Sequence, residues 1–186
     1  MEQKLLKVRV RQAAEGDKEA LLALVLEQRD EYYRLALAYM KNRHDALDAM
    51  EDMIVALYEQ MGQLRDPEKF YAWSKTILVN ACKRMLRGRA KYSATSEAHD
   101  RADGPVIAVQ RAPGDEFAAV ERRADIDAVL GQLSEPQREA IELKYFHDLE
   151  IRTIAQMTNV SPGTVKTRIH YGLKRLKEIL GGENDA

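Results

Sequence analysis

Lys69, Thr76, Asn80, Lys83 and Arg87 stand 7, 4, 3 and 4 residues apart, so on an α-helix they form one polar, largely cationic stripe. Cations at that spacing can follow a phosphate backbone. Arg84, Arg89 and Lys91 widen the patch. Tyr71 reads as the more exposed ring beside it, whereas Phe70 and Trp73 share a side with Ile77 and read as core. A second set, Thr164, Lys166, Thr167, Arg168, His170 and Tyr171, follows Ser161-Pro162, a serine able to cap free amides and a proline suited to a first helical turn. A helix of this composition can present its N-terminal half to base edges and phosphates, with Lys174, Arg175 and Lys177 adding charge further along. A solvated, lysine-rich helix end is the plainer alternative.

A third set has the opposite sign. Asp48, Asp52, Val55 and Glu59 fall on one side of a helix, away from a stripe formed by Leu47, Met50, Ile54, Leu57 and Met61. An acidic face with an outward valine suits a basic partner surface, although an ordinary solvated face has the same spacing.

The chain offers little to other chemistry. Its one cysteine, Cys82, excludes an intrachain disulfide and reads as a small core residue; His44, His99, His147 and His170 are too scattered for a metal cluster. There is no glycine-rich phosphate loop and no nucleophile motif, so no catalytic residue, cofactor or metal is expected. No apolar run approaches the roughly 20 residues that cross a bilayer, and Met-Glu-Gln-Lys is not the start of a secretion signal, so the expected location is the cytoplasm. Lysine plus arginine total 29 against 30 acids, a formal charge of -1 that hides the segregation of charge along the chain.

The elements that must position these residues are helical throughout, because apolar positions recur at three and four residues. Asp17 can cap one long helix carrying Leu21, Leu24, Val25, Tyr32, Leu35, Ala36 and Tyr39, and Asn42-Arg43-His44 reads as a turn. Asp66-Pro67 opens a helix that buries Phe70, Trp73, Ile77 and Ala81 and runs to about Arg89. Periodicity then fails, and residues 92–119 read as an acidic linker rich in Ser, Ala, Asp, Gly and Pro. It resumes with Ile126, Val129, Leu130 and Leu133; Ser134 and Gln137 form a capping box for a helix anchored by Ile141, Leu143 and Tyr145. Leu149 to Leu180 has the form of a helix-turn-helix. Ile151, Ile154 and Ala155 face inward, Thr158-Asn159-Val160 is the turn with Val160 beneath it, and Val165, Ile169, Leu173, Leu176 and Leu180 form the second helix's inner face.

With these residues in view, the chain resembles sigma factors of RNA polymerase, specifically the extracytoplasmic-function group of the sigma-70 family. Leu133 to Ala140 is similar to the opening of their region four, and Ser161-Pro162-Gly163-Thr164-Val165-Lys166-Thr167-Arg168 to its recognition helix. Asp45 to Asp52 resembles the region-two helix that docks on the beta-prime clamp of core polymerase, with Asp48, Glu51 and Asp52 at the characteristic polar places. Glu51 departs from the usual glutamine. Phe70-Tyr71-Ala72-Trp73 and Asn80 resemble the reader of the minus-ten element. At His170-Tyr171 many relatives have an aromatic residue followed by arginine, so no relative's promoter sequence can be borrowed.

The resemblance implies an all-α chain of two small domains. Residues 1–91 would be region two, a helical bundle; 120–182 would be region four, a helix-turn-helix for the minus-thirty-five element that also touches the beta flap; 183–186 are a tail. It implies docking by Asp48, Glu51, Asp52 and Val55, and minus-ten contacts by Lys69, Tyr71, Thr76, Asn80, Lys83, Arg84 and Arg87. The minus-thirty-five contacts would be Ser161, Thr164, Lys166, Thr167, Arg168, His170, Tyr171 and Lys174. Partners would be core polymerase and promoter DNA, double- and single-stranded, with an anti-sigma factor a further candidate. A stand-alone regulator is the competing reading, since helix-turn-helices serve there too, but it leaves the first domain unexplained.

Overall fold

A computed structural model describes residues 2–95, 126 and 128–182, with side-chain exposure for 3–90, 126 and 128–180. Every regular element among the described residues is helical, and the chain divides into two compact units between Val106 and Ile107.

In the first unit α1 (Glu2–Ala14) precedes α2 (Lys18–Glu27), and Gly16, at φ 98°, makes the left-handed step between them that a side chain would resist. Asp17 caps α2 by accepting from the Ala20 amide at 3.0 Å. The single long helix expected from Asp17 to Tyr39 is two. It breaks at Gln28, which leaves the helical region at φ -115° and ψ 18°, and α3 (Arg29–Met40) follows. The break lets α2 pack on α1 while α3 packs against α4 (Arg43–Gln60) and α5 (Phe70–Thr95). Neither glycine nor proline marks it, and the apolar period runs on through the bend, so the sequence carries no sign of the break.

The turn expected at Asn42-Arg43-His44 lies one step earlier. Lys41 adopts a left-handed conformation, and Asn42 caps α4 by accepting from the amides of His44 and Asp45. Met50, Leu57 and Met61 of the expected stripe are buried, but Ala46, Ala49 and Met53 complete the buried face of α4, while Leu47 is 46% exposed and Ile54 half-buried. Alanines at 46 and 49 let neighbouring helices approach closely, so the core row is the one with the small residues.

Asp66 accepts from the Glu68 amide, and a short 3-10 turn (Pro67–Lys69) leads into α5. Its core side is Phe70, Ser74, Leu78, Val79, Ala81 and Cys82, with Trp73 and Ile77 only half-buried. Ser74 can be fully buried because its Oγ is hydrogen-bonded to the buried Tyr32 hydroxyl at 2.7 Å. Cys82 is buried as expected, and that burial pushes its thiol up to about 12. α5 continues to Thr95, past Arg89 and into the segment expected to be linker; the rest of 92–119, and the 183–186 tail, lie outside the described residues.

The second unit is built on Leu130, Leu133 and Ile141, with Leu176 packed against them. The Ser134–Gln137 capping box starts α6 (Glu135–Ile141), and a π-helical stretch (Glu142–Phe146) follows. That extra residue per turn sends Leu143 inward and leaves Tyr145 58% exposed, so Tyr145 is not the anchor expected. α7 (Ile151–Thr158) buries Ile154 and Ala155, with Ile151 half-buried, and ends at left-handed Asn159. Val160 is half-buried. α8 (Pro162–Gly182) turns Val165, Ile169, Gly172 and Leu176 inward, whereas Leu173 and Leu180 are exposed.

Candidate nucleic-acid interface

The outward face of α4 carries Asp48, Glu51, Asp52, Val55 and Glu59, and also Leu47 and Tyr58, which sequence reasoning had not placed there. Val55 is 58% exposed. Leu47, Glu51, Val55 and Tyr58 follow one another at four, four and three residues, so an interrupted apolar row runs down the face with acids beside it. The error at Leu47 came from assigning it to the core stripe; the signal was the competing alanine row. The acids are not all unpaired: Asp48 lies 3.8 Å from His44, and Asp52 accepts from Arg84 Nη2 at 2.9 Å.

α5 positions the basic stripe beside this face. Asn80 and Arg87 are exposed, and Lys69 is exposed with its ammonium 4.0 Å from Asp66. Thr76 is half-buried and donates its hydroxyl to the Ala72 carbonyl at 2.9 Å, leaving its oxygen able to accept. The half-buried Lys83 holds its ammonium 5.6 Å from the centre of the Tyr39 ring. Arg84 and Arg89, expected to broaden the patch, instead turn to the acids of α4. Arg89 grips both carboxylate oxygens of the buried Asp45, holding that carboxyl below the usual range and raising the guanidinium. Tyr71 is half-buried, and its hydroxyl is shut off from solvent. Burial, with Glu27 nearby, pushes that hydroxyl above its ordinary value; the ring is more exposed than the buried Phe70, as expected, but still half-buried. It meets Phe70 edge-on at 5.3 Å.

In the second unit Ser161 Oγ accepts from the Thr164 amide at 3.1 Å, the cap the sequence implies. Thr167 and Lys174 occupy the centre of α8's outward side, opposite Val165, Ile169, Gly172 and Leu176, with His170 to one side of them and Tyr171 to the other. Lys166 lies further round on the His170 side and Thr164 on the Tyr171 side, all four exposed; Arg168 is nearest the core and half-buried. His170 and Tyr171 meet edge-on at 5.3 Å. Thr167 donates its hydroxyl to the Gly163 carbonyl at 3.0 Å, leaving its oxygen's lone pairs for a partner.

A capped, outward-polar helix after a tight turn in one unit, and a basic helix beside an acidic, partly apolar face in the other, are the architecture of a two-part DNA-binding transcription factor. Residues 24–92 match Sigma-70 region 2 and residues 123–176 match Sigma-70, region 4. The ECF RNA polymerase sigma factor SigM of Mycobacterium tuberculosis is 31% identical, over 89% of this chain and 80% of its own. The RNA polymerase sigma factor SigV of Bacillus subtilis is 28% identical, over 90% and 95%. The sigma factor RpoE of Bartonella quintana, solved with the anti-sigma factor NepR, shares the fold with a TM-score of 0.66 and 22% identity, over 86% of this chain and 95% of that one. The chain belongs to the extracytoplasmic-function group of RNA polymerase sigma factors. It is an alternative sigma factor, directing promoter-specific transcription initiation.

Proposed function

We propose that the outward face of α4, with Asp48, Glu51, Asp52 and Val55, docks on the clamp of core RNA polymerase, that the α5 stripe holds the minus-ten element, and that α8 reads the minus-thirty-five element. Region two would then span 1–91 and region four 120–182, with 92–119 as the linker. One observation carries the reading: α4 and α5 pack side by side yet present surfaces of opposite charge, so a basic protein and a nucleic acid can be held at once. Opening a duplex costs on the order of a few kcal/mol per unstacked step, which captured bases and phosphate contacts along α5 would offset.

The chain itself catalyses nothing in this reading and works in the cytoplasm, where core polymerase is. No described helix is long and apolar enough to cross a membrane. An anti-sigma factor is a further partner, as NepR is for the Bartonella protein. The test compares promoter-duplex binding by the full chain alone and with core polymerase. Specific binding only in the presence of core supports the reading; equally specific binding by the chain alone favours a stand-alone regulator.

A further inference from the structure

The Asp52–Arg84 ion pair joins one residue from each proposed interface of the first unit. Asp52 belongs to the docking face of α4, and Arg84 lies four residues after Asn80 and three before Arg87 on α5, within a side-chain swing of the basic stripe. While they are paired, Arg84's charge is turned from DNA and Asp52's from a clamp cation. We infer that Asp52 holds Arg84 away from DNA until core polymerase engages Asp52, so that docking releases a phosphate-binding cation beside the minus-ten reader. The inference rests on the assignment of α4 to polymerase.

Two neighbouring pairs show why this one can exchange partners. Asp45 and Arg89 also tie α4 to α5, but the Asp45 side chain is 8% exposed and gripped at both oxygens, so separating it would leave a carboxylate buried and unpaired. That pair is a clip. Asp52 and Arg84 meet through one donor and one acceptor, with side chains 47% and 63% exposed, so water can take the place of either partner at little cost. The clip keeps the two helices in register while the exposed pair trades partners. Because linkage is reciprocal, polymerase and DNA should each favour the state in which this pair is open.

A two-by-two cycle on the full chain tests it, using the wild type, Asp52→Asn, Arg84→Gln and the double variant. Binding to a fluorescein-labelled single-stranded oligonucleotide is measured without polymerase over a range of salt, and binding to core polymerase is measured separately. Asp52→Asn should tighten oligonucleotide binding about two- to fivefold, with a steeper salt dependence, as expected when one more cation reaches a phosphate. In the Arg84→Gln background that gain should vanish. In the holoenzyme on promoter DNA the gain should also vanish, since Asp52 is already engaged, while Arg84→Gln should reduce open complex. An equal gain in both backgrounds, or none, overturns the restraint of Arg84. Unchanged core affinity in Asp52→Asn overturns the docking of Asp52, and release by polymerase with it, whatever the oligonucleotide shows.

Discussion

A methyl group on Gly172 would lie 2.6 Å from Ile141 Cδ1, so the recognition helix and α6 touch where residue 172 has no side chain. Gly172 is buried in the middle of α8, a place where glycine costs about 1 kcal/mol of helix propensity relative to alanine. Close approach to Ile141 is the gain that keeps it there.

Gly172→Ala recovers that propensity but crowds a packed core, for which about 1–3 kcal/mol is typical. A net loss of up to about 2 kcal/mol is expected. Gly172→Leu adds bulk that the end of the Ile141 side chain cannot yield to, and should open the second unit. Hydrogen exchange of the α8 amides reads both variants, and protection of Gly172→Leu equal to wild type would show that the contact is not tight.

The Asp45–Arg89 clip predicts a pH dependence. Arg89 holds the Asp45 carboxyl below its ordinary value, so the unfolded chain binds this proton more readily than the folded one. The contribution to stability is therefore present above the ordinary carboxylate range, near about 4, and is lost as pH falls through the lower folded-state value. Asp45→Asn should remove on the order of 2 kcal/mol at neutral pH and flatten the acid limb of the stability curve. Denaturant midpoints at pH 7 and pH 3 give the comparison, and an unchanged acid limb would mean that the clip contributes little.

Val55 tests the docking face without disturbing an ion pair. At 58% exposure, Val55→Asp should change stability by no more than about 0.5 kcal/mol. Core-polymerase affinity should fall at least about tenfold, as for a central interface residue. Retained affinity in a normally folded variant would remove Val55 from the interface.

Lys166→Ala should lower transcription more on templates that keep the upstream element than on those that lack it, and should reduce the salt slope of promoter binding by about one. Equal loss on both templates would place Lys166 outside the upstream reader.

How much of this was legible in the sequence depended on whether the deciding interaction was local. The Ser161 cap, the Ser134–Gln137 box and the Asp17 and Asp66 caps involve residues within four positions of one another, and each was readable. The break at Gln28, the choice of Ala46 over Leu47 and the inward Gly172 are decided by which helix lies opposite. Apolar periodicity does not encode that. Helix α1 escaped notice because Leu5 and Val8 are exposed while Val10 and Ala13 are buried, so its apolar residues make no single row. The ion pairs of Arg84 and Arg89 were illegible for a related reason. Their acids lie 32 and 44 residues away in sequence, so a cation that looked available for DNA proved to be engaged across the bundle.

The central claim is tested most directly by reconstituted run-off transcription with purified core polymerase on a library of promoter fragments. Adding the chain should create new start sites at a subset of fragments that share paired upstream and downstream elements. If no start site changes anywhere in the library, the chain does not direct initiation and the account is wrong.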